Sequence, residues 1–165
     1  MLITKLSNFL ENVIESISVF FYMIFFIAIF VQVVSRYIFN SPVVWSEELA
    51  RYINIWFVFF SSSILLKHGK HLSVDLIDKY LEKMSVKVRV IHSLILNIII
   101  LFLVSSLIYG SFELVIETWS IELVTLKMPR GLIFLSLTIS GCFMFIFTLE
   151  NILKDIIKFM RGGDN

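Results

Sequence analysis

The sequence predicts an all-α integral membrane protein: four transmembrane helices with both termini cytoplasmic, and an amphipathic cytoplasmic helix between the second and third spans. Composition is the first ground for this. Of 165 residues, 58% are hydrophobic and only 16% charged, whereas soluble domains run at about a quarter charged. Patterning is the second. The apolar residues fall in long uncharged blocks rather than alternating, and two Pro and six Gly supply too little turn chemistry for a barrel of many short strands. The chain reads as one four-helix membrane domain over residues 1–165, with spans at about 13–37, 45–67, 89–112 and 130–153 and the amphipathic helix at about 73–85.

The first span rests on the 20 uncharged residues from Ser16 to Ser35, bounded by Glu15 and Arg36. At about 1.5 Å per residue they match a hydrocarbon core of roughly 30 Å. The run is too long for a signal peptide and follows Glu11 and Glu15, so it is expected to stay in the mature chain. The uncharged interval from Tyr52 to Leu66 is short for a crossing, which places the start of the second helix earlier. Asn40-Ser41-Pro42 reads as a turn and Ser46 as an N-cap, putting Glu47, Glu48 and Arg51 in the first turns, with Trp45, Tyr52 and Trp56 at the interface. Val90 to Phe112, with His92 as its sole titratable group short of the Tyr109 phenol, makes the third span. Gly131 to Leu149 makes the fourth, with Pro129 expected in its first turn.

Between spans two and three, Ile77, Tyr80, Leu81 and Met84 recur at i, i+3, i+4 and i+7, while Asp75, Asp78, Lys79, Glu82 and Lys83 fall largely opposite. This is a helix for the headgroup layer or for a partner's surface. Orientation follows from the cations. Ten Lys and Arg lie on the side holding both termini and the second connection, against Arg36, Arg51, Lys127 and Arg130 on the other, which places the termini in the cytoplasm.

Charge and motif content exclude several functions. Lys plus Arg is 14 against 13 Asp plus Glu, so no nucleic-acid footprint is expected. The single cysteine, Cys142, excludes an internal disulfide and a CxxC pair. His68 and His71 sit among lysines without fixed acidic or cysteine ligands and read as a solvated basic loop. No span holds an ionisable residue at depth; its polar residues Gln32, Asn54 and Asn97 read as interhelical hydrogen-bonding groups. Ser106 to Gly110 and Ser136 to Ser140 are small-xxx-small spacings, read as packing faces. No Gly or Pro pair marks broken helices at matching positions of two repeats, so an alternating-access site is not expected in this chain.

The segment densest in specific chemistry joins the first two spans. Arg51 stands i+4 from Glu47 and i+3 from Glu48, and Arg36 on the neighbouring helix is expected to reach a carboxylate, closing a hairpin. This segment carries a resemblance. Arg36-Tyr37-x-Phe39-Asn40, then Trp45-Ser46-Glu47-Glu48-Leu49-Ala50-Arg51, Trp56, and Lys67-x-Gly69-x-His71-x-Ser73-Val74-Asp75 match, in order and spacing, the small membrane subunit of tripartite ATP-independent periplasmic (TRAP) transporters. That is the DctQ-like family. Ser61 to Ser63 stand where the family often has a mid-span glycine, and Lys67 replaces an arginine.

The resemblance implies a non-enzymatic scaffold in a bacterial inner membrane, partner to a large multi-span subunit that carries the substrate and sodium sites. A periplasmic substrate-binding protein is then expected to dock at the outer face and deliver an organic acid such as a dicarboxylate or sialic acid. Membrane lipid is the remaining partner. No cofactor is expected in this chain, with sodium ions on the large subunit. By transfer, Arg36, Asn40, Trp45, Glu47, Glu48 and Arg51 are structural or partner-interface residues, and Lys67, His71 and Asp75 mark the cytoplasmic end. The alternatives are a stand-alone dimeric small multidrug-type transporter, which needs a membrane-embedded Glu where this chain offers only Gln32, and an assembly factor of another complex. A haem or thiol oxidoreductase lacks its paired His or Cys.

Overall fold

The structure, a computed structural model, describes residues 2–41, 43–68 and 86–160. Four helices account for most of them: α1 Leu2–Tyr37, α2 Val44–Lys67, α3 Val86–Thr118 and α4 Gly131–Met160. All four are long and apolar enough to cross a membrane. The amphipathic helix expected at about 73–85, together with His71 and Asp75, lies outside the described residues.

The helices alternate in direction, so α1 starts, α2 ends, α3 starts and α4 ends at one end of the molecule, here the terminal end. The two connections within residues 38–43 and 119–130 lie at the other, the hairpin end. The packing order is not the chain order. α1 packs on α2, α2 on α4, and α4 on α3, with only a slight contact between α1 and α4. The result is an open row, α1-α2-α4-α3, rather than a closed bundle. Its outer helices expose large apolar side chains along their length, among them Phe20, Phe26 and Phe30 on α1 and Ile95, Ile99 and Phe102 on α3.

The shared core is small: Ile14, Phe60 and Phe147, one residue from each of α1, α2 and α4, flanked by Leu10, Ile17, Trp56, Ile64, Ile139 and Phe143. An aromatic chain ties it together, with Phe21 5.5 Å from Trp56, Trp56 stacked on Phe60 at 5.6 Å, and Phe60 5.9 Å from Phe143 between ring centroids. Elsewhere contacts depend on small residues. Ser136 and Ser140 are fully buried in α4. Gly141 lies so close to Ile108 that a Cβ there would stand 2.7 Å from its side chain. Ser111 of α3 and Thr138 of α4 share a hydrogen bond of 2.9 Å across this seam. Three of the buried hydroxyls are satisfied within their own helices: Ser63 donates to the Phe60 carbonyl, Ser136 to Ile133 and Ser140 to Leu137. Close approach therefore leaves no orphan polar group at these positions.

Several expectations are corrected. The other small-xxx-small pair is not a packing face within this chain, because Ser106 is exposed and a Cβ on Gly110 would meet nothing within 4 Å. Val43, in an extended conformation, is the N-cap of α2, and Ser46 instead turns its hydroxyl back to donate to the Val43 carbonyl at 2.7 Å. Pro129 stands outside α4, because it pairs with Glu122 in a short antiparallel bridge and the helix begins only at Gly131. The helices also run past the uncharged intervals. α3 continues beyond Phe112 through Glu113 and Glu117, and α4 through Glu150 and Asp155.

Candidate functional site

Two polar assemblies cap the row, one at each end, and each is built by residues far apart in sequence. At the hairpin end, α1 finishes at Tyr37 and the chain turns through Asn40 at φ 48°, a left-handed conformation that asparagine tolerates better than other residues with a side chain. Glu47 and Arg51 pair along one exposed face of α2 at 3.1 Å. Glu48 does something different: its Oε2 accepts hydrogen bonds from the backbone amides of Thr125 and Leu126, both at 3.0 Å. One carboxylate of α2 therefore holds the connection between α3 and α4.

That connection is itself ordered by the chain. The Leu123 amide donates to the Met128 carbonyl at 2.9 Å and the Arg130 amide to Ile121 at 2.8 Å, with Lys127 in the left-handed region at φ 49° to close the turn. Gly131 permits the return into α4. A Cβ there would stand 2.9 Å from both the Trp119 ring and the Val115 carbonyl oxygen. Tyr52 is buried beneath this assembly, its hydroxyl without a partner among the described residues. Trp45 is half exposed at the start of α2. Arg36 is exposed and forms no ion pair among the described residues, against expectation. The reason is geometric, since Glu47 is committed to Arg51 and Glu48 to the two amides.

At the terminal end a second network joins three helices. Lys67, with only 6% of its side chain exposed, donates to Glu11 Oε2 at 2.5 Å and to Asn8 Oδ1 at 2.8 Å, and its ammonium lies 5.6 Å from the centre of the Phe147 ring. His68 Nε2 meets the other Glu11 oxygen at 2.6 Å. On α4, Glu150 is 3% exposed and pairs with Lys154 at 2.9 Å. Its second oxygen and the Ser7 hydroxyl lack partners among the described residues. Asn151 donates to the Leu66 carbonyl at 2.9 Å, satisfying one of the orphan carbonyls at the end of α2. Asp155 accepts from Ser93 at 2.6 Å and from Asn97 at 3.0 Å, fastening α3 to α4.

Of the residues singled out in the sequence, the structure thus brings Glu47 to Arg51, Glu48 to the far hairpin, Lys67 to Glu11, and Asn97 to Asp155. Gln32 and Asn54 are half-buried and make no side-chain hydrogen bond among the described residues. Sequence reasoning missed Asn8, Glu11, Ser93, Glu150, Asn151, Asp155, Thr125 and Leu126. In the sequence Glu11 stands only as an acidic residue preceding the first span, and Glu150 as the charge that ends the uncharged run to Leu149. Their pairing over intervals such as the 56 residues between Glu11 and Lys67 has no local signature. Among the described residues, no group of three or more His, Cys, Asp or Glu side chains comes together that could hold a metal.

The arrangement joins helices. A polytopic helical membrane protein whose helices and connections are tied by polar contacts at both ends is the class that the fold and both assemblies define. The particular family is given by sequence comparison, in which the DctQ component of the tripartite ATP-independent periplasmic transporters matches residues 25–158. The chain belongs to that family. A TRAP transporter small permease of Haemophilus influenzae is 25% identical over 151 residues, covering 92% of this chain and 90% of that protein. The sialic acid TRAP transporter small permease protein SiaQ of Vibrio cholerae is 28% identical over 131 residues, 79% of this chain and 73% of its own. A 54-residue stretch, 30% of this chain, is also 37% identical to part of the sialic acid TRAP transporter permease SiaT of Haemophilus influenzae, of which it covers 9%.

Proposed function

We propose that this chain is the stationary small subunit of a sodium-driven TRAP transporter for an organic acid. It stands beside a larger permease subunit that carries the substrate and sodium sites, and receives at its hairpin end the periplasmic protein that delivers the substrate. The hairpin end faces the periplasm and the termini face the cytoplasm, in a bacterial inner membrane, following the excess of Lys and Arg on the terminal side. Sialic acid heads the candidate substrates because SiaQ and SiaT carry it in their names.

The observation that carries the scaffold role is where the buried charge goes. Lys67 and Glu11 pair across α1 and α2, Asn151 ties α4 to the end of α2, and Glu150 pairs with Lys154 inside α4, so these groups gather at one end of the row rather than lining a path along it. An intramembrane charge in a carrier marks the route of its ion or substrate. A buried ammonium locked against a carboxylate of the neighbouring helix suits a part that holds still. The wide row also suits anchorage, since its outer helices offer lipid a large apolar surface.

Reconstituted vesicles test the reading. Uptake of a labelled organic acid under an inward sodium gradient is expected only when this chain, the larger subunit and the binding protein are all present. Uptake by vesicles holding this chain alone would contradict the scaffold role.

A further inference from the structure

The connection between α3 and α4 is held at three points, and all three lie at one level of the row. The register between helices shows this. Asn151 of α4 donates to the Leu66 carbonyl of α2, so these residues stand side by side at the terminal end. Counted back from that contact by helix rise, Glu48 of α2 lies about 27 Å away and Gly131 of α4 about 30 Å away. The two therefore share a level at the hairpin end. α3 reaches the same level, because a Cβ on Gly131 would stand 2.9 Å from the Trp119 ring and from the Val115 carbonyl oxygen. The chain thus leaves α3 and enters α4 beside the level of Glu48, and midway its Thr125 and Leu126 amides are bonded to the Glu48 carboxylate at 3.0 Å. A connection with both ends and its middle in one plane lies flat across the end of the row instead of rising from it.

That plane is the edge of the hydrocarbon. It stands one bilayer core, roughly 30 Å, from the level of Leu66 and Asn151, and the Glu47–Arg51 pair and half-exposed Trp45 sit beside it. A surface loop in water is expected to be polar. This one shows Trp119, Ile121 and Met128 about half exposed and Val124 95% exposed, with the cations Lys127 and Arg130 exposed among them. The exposure does not come from slack chain, since the Leu123–Met128 hydrogen bond and the Glu122–Pro129 bridge fasten the turn that carries Val124. The apolar surface is also continuous with the span. Tyr109, Phe112, Ile116 and Trp119 follow at intervals of 3, 4 and 3 residues, all exposed, so one stripe of α3 runs from the hydrocarbon into the connection.

We infer that the 119–130 connection is a membrane anchor: it lies in the phospholipid headgroup layer at the hairpin end, with Ile121, Val124 and Met128 reaching the upper acyl chains and Lys127 and Arg130 meeting lipid phosphates. Apolar side chains, a tryptophan and cations together on a flat segment are what that layer accepts. Glu48 then serves to hold the anchor level with the membrane surface, which ties the α2 end of the row to the same layer as α3.

The test is nitroxide accessibility in the full chain, with Cys142 replaced and a single spin label at Val124, at Phe102 as the hydrocarbon reference, or at Ser41 as the water reference. The protein is reconstituted in vesicles containing phosphatidylglycerol. At Val124, collisions with lipid-soluble oxygen are expected to exceed those with a water-soluble nickel chelate, giving a ratio several-fold above that at Ser41 and below that at Phe102. Lys127→Asn, which suits the left-handed backbone there, should move the Val124 ratio towards that of Ser41, and more in phosphatidylglycerol than in phosphatidylcholine vesicles. A Val124 ratio equal to that at Ser41, with Phe102 still reading as hydrocarbon, would place the turn in water and overturn the anchor. Low collision with both reagents at Val124 would show the turn covered by protein and overturn it as well. An unmoved ratio with Lys127→Asn would remove the phosphate contact from the proposal.

Discussion

Lys67 concentrates more of the structure on one side chain than any other residue: it closes an ion pair with Glu11, bonds Asn8 and lies over the Phe147 ring. A buried pair is weak evidence for net stabilisation, but removing one member leaves a charge without compensation. Lys67→Met is therefore expected to destabilise the detergent-solubilised protein by about 3–5 kcal/mol, read as a fall in thermal midpoint. The double variant Glu11→Gln, Lys67→Met should recover part of that loss, which a double-mutant cycle measures. At the opposite end Glu48 invites a different test. Its partners are two backbone amides, so Glu48→Ala should speed hydrogen exchange at Thr125 and Leu126 about tenfold, with membrane insertion unchanged and assembly or transport reduced. Unchanged exchange would show that the turn closed by Lys127 holds itself.

At the scale of the helices, close approach is set by which small residues face a neighbour. Gly141 and Gly110 make the comparison, since a side chain at the first runs into Ile108 and Leu107 while the second faces open space. Gly141→Leu is expected to cost about 1–3 kcal/mol through separation of α3 from α4, and Gly110→Leu to leave the thermal midpoint of the isolated chain unmoved. The spans themselves were legible in the sequence, because a run such as Ser16 to Ser35 has no other stable form in hydrocarbon. Helix ends were less legible. Uncharged intervals stop at Glu15 and Glu150, but α1 extends back through Glu11, which meets Lys67, and α4 runs on through Glu150, which meets Lys154. The hairpin site was half legible: Glu47 to Arg51 is a local i, i+4 pair, whereas Glu48 meets backbone amides 77 and 78 residues away, for which no side-chain pattern exists. The order of the row was not legible at all, since lipid is as apolar as leucine and hydropathy does not say which faces meet.

The whole molecule is a row one helix deep, with a small core at one end and polar fastenings at both. Its orientation is a property of the whole chain, set by the cations of both termini and of the second connection. With Cys142 replaced, a single cysteine at Ser41 is expected to react with an impermeant thiol reagent on intact cells, and one at Ser73 only after the membrane is opened. On the proposed reading this thin row, with large apolar side chains exposed along its outer helices, depends on a larger companion subunit. Native mass spectrometry of the chain, purified in mild detergent from its host, tests that dependence most directly. A one-to-one complex with a larger polytopic protein is the predicted result; a homodimer without such a partner would contradict the account and return Gln32, Asn54 and Asn97 to consideration as transport residues.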